Sequence, residues 1–98
     1  MARLKLTIRA RQDITELAGY IANDSPQKAS LFTLHLIKKC QWVAEHPFMG
    51  RPRTDLAAGL RSTVFGNHII FYQVLSDIVE ITRVLHGSRN IKHIMRDS

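Results

Sequence analysis

Cysteine is nearly absent from this 98-residue sequence, which contains one, Cys40. A lone cysteine excludes an internal disulfide framework and any zinc cluster built on several cysteines. Cys40 falls in an apolar stripe of a predicted helix, which favours a small core residue over a nucleophile. No apolar run approaches the ~18 residues that suggest a membrane span. The first residues alternate apolar with charged side chains instead of opening a signal peptide. These absences favour a cytoplasmic protein without a membrane partner.

The common signatures of cofactor and metal sites are missing as well. The sequence has no Walker-type or dinucleotide-binding glycine-rich loop and no HExxH motif. Its five histidines do not pair at a metal-ligand spacing, and it lacks paired carboxylates suited to acid–base catalysis. The sequence therefore predicts neither a cofactor nor a bound metal.

Acidic residues are few: 8 Asp plus Glu stand against 14 Lys plus Arg, a formal net charge of +6. A small basic domain suggests an acidic partner, which can be nucleic acid, a membrane surface or an acidic protein. Most individual Lys and Arg side chains simply coat solvated surfaces. The basic residues gather in three stretches: Arg3, Lys5, Arg9 and Arg11; Arg51, Arg53 and Arg61; Arg83, Arg89, Lys92 and Arg96.

The first half of the chain reads as one strand followed by two helices. Apolar residues alternate at positions 4, 6 and 8, as in a strand with one wet face. From Ala10 the period changes to that of an amphipathic helix, which stops at residues 23–24. Ser25 and Pro26 favour the start of a second helix, and His46–Pro47 ends it. The short link predicts an antiparallel helical hairpin.

The second half reads as three strands after a loop at residues 48–59. The strands are predicted at residues 60–65, 68–75 and 78–85, separated by two-residue turns that favour an antiparallel meander. A short terminal helix capped by Ser88 is expected at the end. The order β-α-α-β-β-β(-α) predicts an α+β fold in which the helical hairpin packs on a mainly antiparallel sheet. With 45% hydrophobic and 22% charged residues, the sequence predicts one domain over residues 1–98.

One basic set near the last strand could carry chemistry. RNA cleavage by acid–base catalysis needs a base, an acid and cations for the phosphate, and imidazole and guanidinium can supply these without a metal. His86, at the end of the last strand, is the central candidate. The alternative is a hydrogen-bonded histidine that merely closes the strand. The set comprises Arg61, Arg83, His86, Arg89 and His93.

Several short stretches, in this order and spacing, resemble the ParE toxins of the ParE/RelE superfamily. They are EHP at 45–47, GRPR at 50–53, DL at 55–56, GLRS at 59–62, IFY at 70–72 and RVLHGSR at 83–89, with Gly66 and Ile81 between them. The family's element order is the one predicted above, so the resemblance covers essentially the whole chain.

The resemblance implies the toxin of a bacterial toxin–antitoxin pair, used in plasmid maintenance and growth arrest. Such toxins inhibit DNA gyrase, here expected through the gyrase subunit that cleaves DNA, and have no enzymatic activity of their own. A ParD-like antitoxin neutralises them in a hetero-oligomer by lying across the hairpin and the sheet. The resemblance implies antitoxin contacts at Phe32, Leu36 and Ile37. The terminal segment 88–98 is expected to contact the target through Arg89, Lys92 and Arg96.

The related RelE branch offers an alternative function, a ribosome-dependent mRNA endonuclease. Its residues here would be Arg61, His86 and Arg89. The tyrosine that this branch uses near its C-terminus falls on Met95, whose thioether is neither an acid nor a base. Where that branch carries a strand arginine, this chain has residues 67–69, which contain none. Both departures favour the ParE branch. Direct DNA binding by the toxin alone is not expected, because no helix resembles a recognition helix.

Overall fold

The computed structural model describes residues 3–96, in which a five-stranded sheet carries two long helices on one face and a short helix on the other. The elements in chain order are β1 (Arg3–Leu6), α1 (Ile8–Asp24), α2 (Pro26–Glu45), β2 (Arg51–Pro52), β3 (Leu60–Phe65), β4 (His68–Leu75), β5 (Ile78–His86) and α3 (Ile91–Arg96). The predicted α+β class and helical hairpin are confirmed.

The strands lie in the order β1-β5-β4-β3-β2, and only the β1–β5 pair among them is parallel. The sheet is therefore mainly antiparallel, as predicted. β4 and β5 pair with one irregularity: Tyr72 lies opposite Ile81, whereas Phe71 lies opposite Arg83. Thr82 is thus an extra residue in β5, a β-bulge, and its hydroxyl donates to the Phe71 carbonyl at 3.2 Å.

Side-chain caps fix where the two long helices begin. The Thr7 hydroxyl accepts a hydrogen bond from the Ala10 amide at 3.0 Å, so α1 starts at Ile8, two residues before the predicted start. Ser25 caps both helices. Its amide donates to the Ile21 carbonyl at the end of α1, and its hydroxyl accepts from the Lys28 amide in the first turn of α2. This compact junction produces the predicted hairpin.

The two faces of the sheet bury different amounts of apolar surface. The hairpin face holds the larger cluster, which joins α1, α2, β4 and β5: Ala10, Ile14, Leu36, Cys40, Val43, Ala44, Ile70, Tyr72, Val79, Ile81 and Val84. The opposite face holds Leu60, Phe71 and Leu85, covered by half-buried side chains of α3 and by Leu56. Cys40 is fully buried, as expected of a core residue, and burial raises the pKa of its thiol to about 11.

Two further details differ from the sequence-based expectation. The segment expected to be a loop contains the two-residue strand β2, which pairs with β3. The cap of α3 is Asn90, whose side-chain oxygen accepts from the His93 amide at 3.3 Å; it is not Ser88, whose hydroxyl lies 2.7 Å from His86 Nδ1. Within residues 3–96, no helix is both long and apolar enough to cross a membrane.

Candidate functional site

A buried ion pair holds the end of β5, from which the terminal segment emerges. The Arg83 guanidinium donates to both carboxylate oxygens of Asp13 on α1, at 2.8 and 3.0 Å. β1 stops pairing at Ile81, and beyond it the Val84 amide donates to the same carboxylate at 3.0 Å. Hydrogen bonding to Asp13 raises the pKa of Arg83. Arg83, part of the basic set predicted near this strand, therefore ties α1 to the sheet.

Two histidines face each other across β4 and β5. His68 lies opposite His86, and their rings are 5.2 Å apart in an edge-to-face arrangement. Burial lowers the pKa of His68 below its ordinary value of 6.5, and the neighbouring His86 lowers it further. The Ser88 amide donates to His86 Nδ1 at 3.1 Å, so the neutral His86 ring carries its proton on Nε2.

The histidine pair opens into a cleft between α1 and the end of β5. Its volume is about 500 Å³, and it combines an apolar wall from α1 with imidazole, hydroxyl and guanidinium groups. Such a mixture can hold an anionic or partly apolar group. The lining residues are Leu17, Tyr20, Ile21, His68, His86, Ser88 and Arg89.

Arg61 does not join His86 and Arg89. It lies opposite Tyr72 at the start of β3, whereas Phe65 at the end of β3 lies opposite His68. The two residues are separated by four residues along β3 and by two strand spacings across the sheet. Their Cα atoms are therefore about 15 Å apart. The guanidinium of Arg61 instead donates to the Gly50 carbonyl at 2.8 Å. The three residues expected in a ribonuclease are thus not gathered into one site.

The terminal segment presents the predicted target-binding cations. Arg89, Lys92 and Arg96 are exposed. The side of α3 opposite Lys92 and Arg96 packs on the sheet through Ile91, Ile94 and Met95. Met95 is therefore a packing side chain. Residues 97 and 98 of the predicted surface lie outside the described residues.

An apolar groove runs between α1 and α2 on the outside of the hairpin. Its volume is about 730 Å³, and its floor is made of small side chains. The lining residues are Ala18, Gly19, Ala22, Pro26, Ala29, Ser30, Thr33, Leu34 and Ile37. Because these side chains are small, the two helices leave a depression between them that another polypeptide chain could fill.

The three predicted antitoxin-binding residues point in different directions. Ile37 lines the groove. Phe32 packs edge-to-face against Phe65 and His68, at 5.7 and 5.2 Å between ring centroids. Leu36 is fully buried in the hairpin core and offers no surface to a partner in this conformation. The prediction for Leu36 is therefore corrected, because it lies on the inner side of α2.

No three His, Cys, Asp or Glu side chains come together in a metal-binding arrangement among residues 3–96. Sequence reasoning missed the His68–His86 pair and the groove. Small residues four apart on α1, Ala18 and Ala22, were a signal for the groove. The histidine pair had no such signal, since it depends on the bulge at Thr82.

The fold and these surfaces define a class: a small basic α+β protein with an apolar groove and a cationic terminal helix, both suited to binding another macromolecule. The profile of the family described as "ParE toxin of type II toxin-antitoxin system, parDE" matches residues 4–91. The chain belongs to this family of type II toxin–antitoxin toxins.

Two curated relatives from Caulobacter vibrioides carry the names of both branches. Toxin ParE1 is 36% identical over 93 residues, which cover 94% of this chain and 96% of the relative. Toxin RelE2 is also 36% identical, over 89 residues that cover 91% of this chain and 99% of the relative. Sequence identity therefore does not separate the branches.

Solved structures show the same fold. A chain of the chromosomal ParDE toxin–antitoxin system from P. aeruginosa aligns with a TM-score of 0.75 at 19% identity, covering 88% of this chain and 96% of that one. A chain of the toxin–antitoxin complex RelBE2 from Mycobacterium tuberculosis aligns with a TM-score of 0.67 at 21% identity, covering 87% and 96%.

Proposed function

We propose that this chain acts in the bacterial cytoplasm as a toxin that inhibits DNA gyrase and is neutralised by a ParD-like antitoxin. The family match supports the toxin role, and ParE1 is among its relatives. The observation that carries gyrase inhibition over RNA cleavage is the separation of Arg61 from His86 by about 15 Å. Met95 adds to it, because a packed thioether cannot move a proton.

The antitoxin is proposed to occupy the groove between α1 and α2 in a toxin–antitoxin hetero-oligomer. Ile37 and Leu34 supply apolar contacts there, and the small residues of α1 allow an apolar helix or extended segment to approach closely. Phe32, which packs against Phe65 and His68 outside the groove, is proposed to add a further apolar contact with the antitoxin. The excess of positive charge on the toxin favours an acidic antitoxin segment.

The target is proposed to meet the exposed cations Arg89, Lys92 and Arg96. The DNA that the cleaving subunit of gyrase holds carries negatively charged phosphates, so cations suit this encounter without reading DNA sequence. These three side chains are exposed, and the packing of α3 rests on its apolar side. Replacing them should therefore affect binding more than folding.

A second candidate function is ribosome-dependent mRNA cleavage, favoured by one observation. His86, its partner His68 and Arg89 line one cleft, which supplies imidazoles and a guanidinium without a metal. In that case His86 would move a proton and Arg89 would stabilise the phosphate. The relative named RelE2 has the same sequence identity to this chain as ParE1, which also supports this second candidate.

Two assays on the purified toxin separate these functions. Incubation with gyrase, ATP and supercoiled plasmid should yield gyrase-linked DNA breaks, whereas incubation with programmed ribosomes followed by primer extension should leave the message intact. Codon-phased message cuts without gyrase-linked breaks would favour the ribonuclease and contradict the proposal. A His86→Asn variant sharpens the result, since under the gyrase proposal it should leave the gyrase-linked breaks unchanged, whereas under the ribonuclease alternative it would abolish the message cuts.

A further inference from the structure

One edge of the sheet is open beside the end of β3. β2 pairs with β3 at two positions only, and this pairing reaches no further than Arg51 opposite Ser62, whereas β3 continues to Phe65 against β4. Within the described part of the chain, no strand lies on the outer side of residues 63–65. These residues carry neither a charge nor a proline, the features with which proteins commonly protect such an edge.

Val64 directs its main-chain polar groups to this open side. In an antiparallel sheet, successive residues of a strand bond alternately to the neighbours on its two sides. The Leu60 carbonyl accepts from the Arg53 amide at 2.7 Å, on the β2 side of β3. Ser62 and Val64 share this orientation, and the residues between them bond to β4. The Val64 N–H and C=O therefore point to the side where β2 has already ended, and such an edge can accept a strand from another chain.

The loop before β2 keeps this edge open. Extending the β2 register backwards would place Met49 opposite Val64. The Met49 amide instead donates to the His46 carbonyl at 3.1 Å, in a turn. The Gly50 amide donates to the hydroxyl of the buried Tyr72 at 3.0 Å. A Cβ atom at position 50 would collide with that hydroxyl, so only glycine fits there. The open edge is therefore a fixed feature of the fold.

A pocket of about 410 Å³ lies beside the open edge. Val64, its cross-strand neighbour Ile69 and Met49 supply the apolar part of its lining. Val64 is 67% exposed and Met49 71% exposed, so both can contact a partner. Ile69 also packs on the apolar cluster beneath α3, which places the pocket on that face of the sheet. An apolar side chain of a strand added at Val64 can enter this pocket.

Arg51 supplies a cation to the same pocket. It is exposed, and none of the ion pairs found within residues 3–96 includes it. Arg53, which also lines the pocket, is already engaged, because its guanidinium donates to both carboxylate oxygens of Asp55 at 3.2 and 3.3 Å. Hydrogen bonding to Arg53 and the more distant charge of Arg51 both lower the pKa of Asp55. Arg51 therefore favours an acidic side chain on a partner.

We propose that the open edge of β3 receives an extended segment of the protein that the toxin arrests. The segment pairs with Val64 and places an apolar and an acidic side chain in the pocket. This inference rests on the proposed toxin function. Two strand spacings, about 10 Å, separate Val64 from Leu85, which side chains of α3 cover, so the edge continues the proposed target surface. The proposed antitoxin groove lies on the hairpin, on the other side of the sheet.

A second copy of this chain fits the edge poorly. Two β3 strands paired antiparallel about Val64 would bring Gly66 of one copy opposite Ser62 of the other, where Arg51 already pairs. The free edge is about three residues, or 10 Å, long. A bound segment therefore gains main-chain hydrogen bonds at Val64 alone, and its side chains in the pocket must supply the remaining affinity.

Hydrogen exchange tests the pairing directly, with neighbouring amides as internal controls. In the free toxin the Val64 amide should exchange quickly, whereas the Thr63 and Phe65 amides, which bond to β4, should be protected. Bound DNA gyrase should slow exchange at Val64 by about tenfold or more, and bound antitoxin should not. Unchanged exchange at Val64 in a gyrase complex overturns the inference. Slowing by the antitoxin, or by raising the concentration of toxin alone, also overturns it.

Three variants separate the contributions of the edge. Val64→Pro removes the outward N–H without breaking a bond to β4, Val64→Ser keeps the N–H but removes the apolar contact, and Arg51→Glu reverses the charge. Each should weaken gyrase binding by about tenfold, with antitoxin affinity and urea midpoint unchanged. Ile8→Pro is the matched control, because Ile8 is 76% exposed at the first position of α1, where proline is favoured, and Thr7 is already extended. Arg11→Glu, at an exposed residue of α1, controls for charge.

Growth arrest separates failure of this inference from failure of the gyrase proposal. If the wild type arrests growth without binding gyrase, the gyrase proposal fails, and loss of arrest in the Val64 variants still supports the edge. Should Val64→Pro not fold, Val64→Ser carries this test. Full arrest by the folded Val64 variants, or a wild type that arrests nothing, overturns the inference. Salt-sensitive binding of a random oligonucleotide that Arg51→Glu abolishes and Val64→Ser leaves intact would assign the pocket to nucleic acid and also overturn it.

Discussion

The two faces of the sheet differ in how firmly they are packed. On the hairpin face, Leu36, Tyr72, Val79 and Ile81 are completely buried. On the opposite face, three buried residues are covered by side chains of α3 that remain half-buried. The first face therefore supplies most of the stability. The second holds a short helix whose outer side carries Lys92 and Arg96, two of the three cations proposed to meet the target.

The weak packing of α3 has a physical basis. A six-residue helix is too short to be stable alone, so it persists only through contact with the sheet. The Asn90 cap satisfies one of its free amides. Such a helix can adjust to a partner at low cost, whereas the hairpin face cannot.

Breaking the link between α1 and β5 should produce the largest loss of stability. Asp13→Ala leaves the Arg83 guanidinium and the Val84 amide without this carboxylate, and removing one partner of a buried ion pair costs about 3–5 kcal/mol. Urea unfolding should show this loss, whereas Glu45→Gln, at an exposed acid of α2, should change little. A loss below about 1 kcal/mol would mean that the buried pair contributes no more to stability than a surface salt bridge.

A matched pair of isoleucines tests the difference between the two faces directly. Ile81→Ala opens a cavity in the hairpin core and should cost about 2–5 kcal/mol in urea unfolding. Ile91→Ala, on half-buried α3, should cost about 1 kcal/mol and raise hydrogen exchange only in α3. Equal costs at the two positions would contradict the comparison.

Removing the Tyr72 hydroxyl should have an intermediate effect. Tyr72→Phe keeps the ring in the core but leaves the Gly50 amide and the Pro47 carbonyl without a partner, which costs about 1–3 kcal/mol. The Gly50 amide should exchange faster with solvent hydrogen. Unchanged protection of that amide would show that other contacts order the loop.

The smallest expected effect is a pH dependence from His68. Its pKa is lower in the folded state than its ordinary value of 6.5, so the unfolded chain binds more protons as the pH falls through that value. Stability from this group is therefore present above pH 6.5 and declines below it. The test measures urea midpoints from about pH 7.5 down to about pH 5.5. Over this range His68→Phe should lose less stability than the wild type. Parallel losses would assign the dependence to groups other than His68.

The sequence predicted the regular elements well because their signals are local. Ser25 and Pro26 mark the start of α2, and alternation with two-residue turns marks β3, β4 and the start of β5. The cap of α3 was misplaced by two residues because Ser88 and Asn90 both suit a cap, and Ser88 is drawn to His86 instead. β2 is two residues long and exists only through its partner strand.

The candidate sites were harder to predict because they depend on three-dimensional register. Counting back from the turn after Leu75 would place His68 opposite Leu85; the extra residue at Thr82 shifts the pairing and brings His86 there instead. The same register keeps Arg61 away from His86. Leu36 belongs to the apolar stripe of α2 in sequence, but only packing shows that it faces inward.

In this account, exposed cations of the terminal segment contact the target while the hairpin face maintains the fold. The most direct test compares gyrase-linked plasmid breaks produced by the wild type and by the double variant Arg89→Ala with Arg96→Ala, with urea midpoints measured alongside. Arg3→Ala with Arg11→Ala controls for net charge. We predict that the Arg89/Arg96 variant loses the breaks and growth arrest at an unchanged midpoint. Full activity of this folded variant would contradict the claim.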